Sequence, residues 1–177
     1  MKKIYFISGV CGVGKTATLK HLRSMLDKNL YDVRDLDERG VPDGGGIEWL
    51  KNETRYWLDV AKESSKIDKS TIVCGFANPE LFDEIYNGDT DIPAKIILLN
   101  ASANTIHARL MGRHDTPESI KEIERASGVS LNQFIENNSN FSVEFKNIFE
   151  KRKLPIVETD NMNPEQVSNE VVKIIEG

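Results

Sequence analysis

Gly9-Val10-Cys11-Gly12-Val13-Gly14-Lys15-Thr16 satisfies the pattern G-x-x-x-x-G-K-[ST] at every position. Glycines let a backbone turn tightly enough to aim successive N–H groups into one concavity, and a helix starting directly afterwards adds the positive end of its dipole. That combination grips phosphate oxygens. A lysine in this place reaches the outer phosphates of a nucleoside triphosphate, and the hydroxyl that follows it completes the octahedral shell of a magnesium ion. Gly9 to Thr16, with Ala17 behind them, are therefore expected to hold ATP, and Thr16 to touch Mg2+.

Other residues have suggestive types and spacings. Asp35 and Asp37 stand two apart on an extended stretch, so their side chains leave the same side, near the carboxyl end of a strand where open α/β sheets bind ligands. Carboxylates there hold a metal, take a proton from an attacking hydroxyl, or simply cap a loop. The strand Thr71-Ile72-Val73-Cys74-Gly75 lacks the terminal acid that commonly holds the metal in such proteins, which makes Asp35 more necessary. Arg109 and Arg113 are spaced i, i+4 and share one helix face. Arg39 and Arg55 suit an acceptor's phosphate or carboxylate, although a surface ion pair accounts equally well for Arg55. Phe76, after Gly75, either stacks on an acceptor or covers the core; Trp57 reads as core, and Trp49 as either. The three histidines lack partners at telling spacing.

Elements that position these residues are legible from periodicity. An apolar run over 3–8 predicts a buried strand, and Leu19, Leu22, Met25 and Leu26 predict a helix over 15–28. A weaker strand over 31–36 precedes the loop Gly40 to Gly46, whose Gly44 to Gly46 serve as a hinge or a plain turn. Helical spacing over 47–64, a strand over 70–74, a short helix after Pro79 and a strand over 95–99 follow. Helices over 103–111, 118–126 and 131–151, a strand over 154–158 and a helix after Pro164 complete the chain. Strands alternating with helices imply an α/β sandwich with a parallel sheet, because parallel strands need crossovers that cover both faces.

The length of 177 residues suits a single domain over 1–177, and the 39% hydrophobic and 29% charged composition is ordinary for a globular chain. A net charge of -5 with mixed signs argues against a nucleic-acid partner or an anionic membrane surface. Cys11 and Cys74 have no companions at metal-ligand spacing and predict neither zinc nor a disulfide framework. The opening MKKIYFISG mimics a leader, but glycines and Lys15 interrupt the apolar run, and no stretch approaches the roughly 20 apolar residues of a membrane span. The expectation is a cytoplasmic monomer or homodimer whose partner is a small-molecule acceptor.

Beyond the glycine loop, three features carry a resemblance: Asp35-Leu36-Asp37, Arg109-Leu110-Met111-Gly112-Arg113, and the closing stretch from Leu154 to Pro164 with its Thr159-Asp160-Asn161. With the element order, they make nearly the whole chain resemble the nucleoside-monophosphate kinases and small-metabolite kinases, among them adenylate, shikimate and gluconate kinases. The resemblance implies a three-layer P-loop NTPase fold, with a five-stranded parallel sheet in the order 2-3-1-4-5. It also implies an acceptor-binding segment over about 39–66 and a small lid over about 113–128. It assigns Asp35 to magnesium and Asp37 to the acceptor. Arg109 and Arg113 would contact the phosphates, with Arg125 a further lid candidate, and Asp160 and Asn161 would lie beside the adenine through backbone contacts. The implied activity is transfer of the γ-phosphoryl group of ATP to a small acceptor.

The alternative is a nucleotide-binding switch or regulatory ATPase with no acceptor. No N-K-x-D guanine signal is present, and Asp43-Gly44-Gly45-Gly46 matches D-x-x-G without the preceding apolar strand. A polynucleotide-end kinase is disfavoured by the acidic balance.

Overall fold

The computed structural model describes residues 2–42, 45–86 and 92–177. Elements follow in the order β1 (Ile4–Ser8), α1 (Lys15–Met25), β2 (Tyr31–Asp35), α2 (Ile47–Lys66), β3 (Ser70–Cys74), α3 (Pro79–Tyr86) and β4 (Ala94–Asn100), then α4 (Ala103–Arg113), α5 (Pro117–Ser127), α6 (Leu131–Lys151), β5 (Ile156–Glu158) and α7 (Pro164–Glu176). All strand pairings are parallel, and the sheet order is β2-β3-β1-β4-β5. Every residue of β1 and β3 is buried, as expected of strands covered on both faces. β2 is half-buried throughout, because it lies at the edge and carries Asp32 and Arg34.

Alternation along β1 sorts the core into two halves. Tyr5 and Ile7 pack in a cluster with Leu19 and Leu22 of α1 and Val171 and Ile175 of α7. Ile4 and Phe6 pack with Trp57 and Leu58 of α2, Phe82 of α3, and Phe145 and Phe149 of α6. Trp57 is thus core, 2% exposed, and its indole N–H donates to the Leu36 carbonyl at 3.4 Å. Burying a large apolar side chain contributes about 1.5–3 kcal/mol. The two fully buried phenylalanines Phe145 and Phe149 therefore anchor α6 firmly, and that helix carries Asn138 and Phe141 towards the glycine loop.

Several boundaries differ from the periodicity. α1 stops at Met25, because Leu26 turns extended with ψ 143 and tucks into the core. β5 pairs only over Ile156–Glu158, its preceding Pro155 having no N–H to give to a ladder. α5 starts at Pro117, capped by Thr116 and Ser119 in a reciprocal box. Gly44, the first residue of the expected hinge or turn over Gly44 to Gly46, lies outside the described residues, as does Asp43; Gly46 precedes α2 with φ 49.

Candidate active site at the glycine loop

The loop leaves the carboxyl end of β1 and runs directly into α1. Its glycines are structurally required. A Cβ on Gly9 would lie 2.5 Å from the Leu99 carbonyl oxygen, and Gly14 holds φ 107 at the helix start. Lys15 folds back over the loop, its ammonium donating to the carbonyls of Gly9 at 2.7 Å and Val10 at 2.9 Å. Burial lowers its pKa; the Arg113 charge pushes the same way, while Cys11 and Asp37 oppose. Thr16 is exposed beside it, its hydroxyl available to a cation.

Two cavities flank the loop. The smaller, about 290 Å³, is lined by Gly12, Gly14, Ala17, Arg109, Met162 and Pro164, among others. The larger, about 620 Å³, is lined by Gly9, Cys11, Lys15, Asp37, Trp49 and Phe76, among others. The P-loop is the partition between them, and Lys15 faces the larger one.

Behind the smaller cavity lies a dense polar clamp. The Arg109 guanidinium donates to the carbonyls of Gly12 and Val13, each at 3.2 Å, to the Thr159 hydroxyl at 2.9 Å and to the Thr159 carbonyl at 2.8 Å. Thr159, fully buried, donates its own hydroxyl to Val13 at 3.0 Å. Arg109 therefore ties β5's exit to the loop, and it lines the cavity at the same time. Arg113, the last residue of α4, is exposed in the same lining. Asp160 faces the other way: it accepts from the Ser102 N–H at 3.0 Å, the Ser102 hydroxyl at 2.6 Å and the Thr105 hydroxyl. Burial raises its pKa, but those bonds outweigh that and hold it below the usual carboxylate range. The Asp160 side chain thus fixes the start of α4. Thr159, Met162 and Pro164 line the cavity from this segment, whereas Asn161, in a turn with φ 57, does not.

On the opposite side, Asp37 lines the larger cavity. The residue is exposed as a whole, but the wall withdraws its carboxylate from water. That desolvation raises its pKa, the Asp35 charge adds to the effect and the Lys15 charge opposes it. Asp35 accepts from the Asp37 N–H at 3.1 Å, so one of its oxygens caps the turn that presents Asp37. Gly75 is needed for packing: a Cβ there would sit 2.1 Å from the Leu36 Cβ. Phe76 both lines the cavity and stacks on Phe145, with ring centroids 5.2 Å apart. Arg39 and Arg55 lie outside this lining. Arg39 pairs with Glu53 at 3.3 Å and sits 3.7 Å from the Tyr56 ring centroid, and Arg55 donates to Asn52 at 3.3 Å. Arg125 is exposed on α5. Cys74, at the end of β3, is buried with its pKa pushed up to about 12, mainly by desolvation, which makes it an inert thiol.

Solved structures share this fold. No protein-family model matches the chain. A sugar kinase from Janibacter sp. superposes with a TM-score of 0.60 at 16% identity, over 99% of this chain and 95% of that one. Shikimate kinase from Acinetobacter baumannii, in complex with shikimate, gives 0.57 at 14% identity over 99% and 93%. The APS kinase CysC of Mycobacterium tuberculosis, in complex with AMPPNP and APS, gives 0.63 at 15% identity over 99% and 98%. The fold is that of the P-loop kinases. In sequence, nucleotide-binding proteins of Listeria welshimeri and Listeria monocytogenes are each 25% identical over 95% of this chain and 52% of their own. The chain thus spans about half the length of the curated relatives it matches.

Residues that sequence alone gave no reason to choose complete the lining around the glycine loop. Asn138 of α6 accepts from the Cys11 N–H at 3.0 Å and lines the larger cavity with Phe141. Asn138, Phe141 and Phe145 recur at helical spacing, which marks one face of α6 but not what it meets. Thr159 was visible only as part of a polar triplet. Among the described residues, no helix is long and apolar enough to cross a membrane, and no three His, Cys, Asp or Glu side chains group to hold a metal.

Proposed function

We propose that this chain is an ATP-dependent small-molecule kinase. The observation that carries the proposal is the placement of Lys15 and a complete phosphate-binding loop as the wall between two cavities, with a carboxylate, Asp37, in the larger. The smaller cavity suits the nucleoside end of ATP, between Arg109 and Pro164. The loop's donor set of main-chain amides, one ammonium and one hydroxyl fits a magnesium nucleotide, with Thr16 and Asp35 as the residues next to the metal. Magnesium supplies charge neutralisation at the phosphates.

Transfer then follows from position. Lys15 releases its two carbonyls and holds the outer phosphates, and Asp37 accepts the proton as the acceptor's hydroxyl oxygen bonds to the γ-phosphorus. The bond from that phosphorus to the bridging oxygen breaks, and ADP keeps the bond's electron pair. Arg109 keeps the loop's shape, and Arg113 brings positive charge to the transferring group. The lid role of 113–128 and the acceptor role of 39–66 belong to this proposal. So does placement of Asp160 and Asn161 near the base by their backbone.

The bond from Asn138 to the Cys11 amide favours a second reading, because it occupies one of the loop's donors from outside and suits a regulated nucleotide switch. ATP consumption measured across alcohols and phosphate acceptors separates the two. The kinase reading expects stimulation by an acceptor and its loss in Asp37→Ala. ATP turnover indifferent to every acceptor would establish the switch instead.

A further inference from the structure

Among the described residues, the larger cavity offers an acceptor's negative charge no cation besides Lys15. Trp49, Phe76, Phe141, Val41 and Leu81 contribute apolar side chains to its lining, whose amide and charged side chains are those of Asn78, Asn138, Lys15 and Asp37. Lys15 is the one cation among the described residues of the lining, and it belongs to the nucleotide's phosphates in the proposed reaction. Positions outside the described residues are Met1, Asp43, Gly44 and 87–91, and none has a lysine, arginine or histidine. Arg39, the nearest basic residue in sequence to Asp37, is engaged by Glu53 and the Tyr56 ring. An anionic acceptor would therefore bring an unpaired charge into an apolar site beside the Asp37 carboxylate, which is strongly unfavourable.

The walls instead offer faces for a ring. Phe145, fully buried, stacks on both Phe141 at 5.3 Å and Phe76 at 5.2 Å, and the latter two form the cavity wall. Phe76 and Phe141 are themselves 5.8 Å apart, so the three rings form one cluster against which a planar ligand would pack. Val41 and Ile47 at the mouth are 52% and 61% exposed, apolar surface that a ligand would cover. The volume of about 620 Å³ suits a molecule of nucleoside size. Asn78 uses its carboxamide oxygen on the Glu80 N–H at 2.8 Å, which leaves the NH2 as a donor to a ligand's carbonyl or hydroxyl oxygen.

We propose, on the basis of the kinase reading, that the acceptor is an uncharged alcohol carried on a planar, mainly apolar ring system. It differs from a phosphate- or carboxylate-bearing acceptor in needing no arginine. During transfer its hydroxyl proton passes to Asp37 and its oxygen takes the γ-phosphoryl group of ATP.

The test is calorimetric titration with matched pairs in the presence of magnesium and a non-hydrolysable ATP analogue. Nucleosides are compared with their monophosphates, and benzyl alcohols with the corresponding benzoates. The neutral member of a pair is expected to bind at least about tenfold more tightly. Val41→Arg, a change at an exposed rim position, is expected to narrow that ratio by adding a cation. Equal or tighter binding of the anionic members, or no binding by any member, overturns the inference. Turnover with ATP is read separately: neutral ligands that bind without being phosphorylated overturn the kinase reading while the cavity's preference stands.

Discussion

The two sides of the glycine loop are built by different forces. On the side of the smaller cavity, the loop is held by hydrogen bonds from Arg109 and Thr159 to its own carbonyls. On the other side, the wall is packing of Phe76 against Phe141 and Phe145 of α6, and the bond that α6 makes to the loop among the described residues is that of Asn138 with the Cys11 N–H. Directional bonds to the main chain fix one shape, which suits a constant partner such as a nucleotide. Packed rings tolerate changes of type at similar volume, so that wall is where acceptor choice can vary without loss of the loop.

Substitutions can break this contrast, starting with the loop that both sides share. Lys15→Met is expected to lower acceptor phosphorylation by roughly 100- to 1,000-fold, the usual cost of losing a positioned charge at a transferring group, measured as initial rates at saturating ATP. Arg109→Met leaves the carbonyls of Gly12 and Val13 without that donor. Bonds to charged groups contribute about 1.5–3 kcal/mol, so denaturant unfolding should show a loss of that order, together with weaker nucleotide binding. Trp49→Ala should act on one side only, raising the acceptor KM by about tenfold while the KM for ATP stays unchanged. Equal effects on both would show that the two cavities are not separable.

Two pH effects sharpen the contrast further. On the kinase reading, the raised Asp37 pKa should move the acid limb of kcat/KM up from a carboxylate's ordinary value, and the slow residual rate of Asp37→Ala should lack that limb. Asp160 has the opposite shift. Its folded value is depressed, so the stability it contributes is present above the unfolded pKa and is lost as pH falls through the folded one. Asp160→Asn should therefore be less stable than the parent at neutral pH, with the gap closing in acid, as followed by thermal unfolding.

Legibility in the sequence divides along the same line. β1 and β4 announce themselves by the apolar runs Ile4–Ile7 and Ile96–Leu99 because both faces of the sheet are covered, and the glycine loop is legible because its backbone tolerates no Cβ at Gly9. β2 reads weakly for a physical reason, its edge position. The wall of the larger cavity is not legible, since Asn138 meets Cys11 across 127 residues of chain and no local pattern encodes that meeting. Arg39 illustrates the limit for charges. Its charge suits an acceptor's phosphate or carboxylate, whereas folding brings Glu53 and Tyr56 to it from the next helix. Asp160 reads as a nucleotide neighbour through its backbone, and only the fold shows the separate task of its carboxylate at Ser102 and Thr105.

Transfer across the loop is tested most directly by following the γ-phosphorus of labelled ATP with each candidate alcohol, in the parent chain and in Lys15→Met. The account predicts label on the oxygen of an uncharged aromatic alcohol with the parent and almost none with the variant. Label released only as inorganic phosphate whatever alcohol is present, or acceptor labelled equally well by the variant, would contradict it.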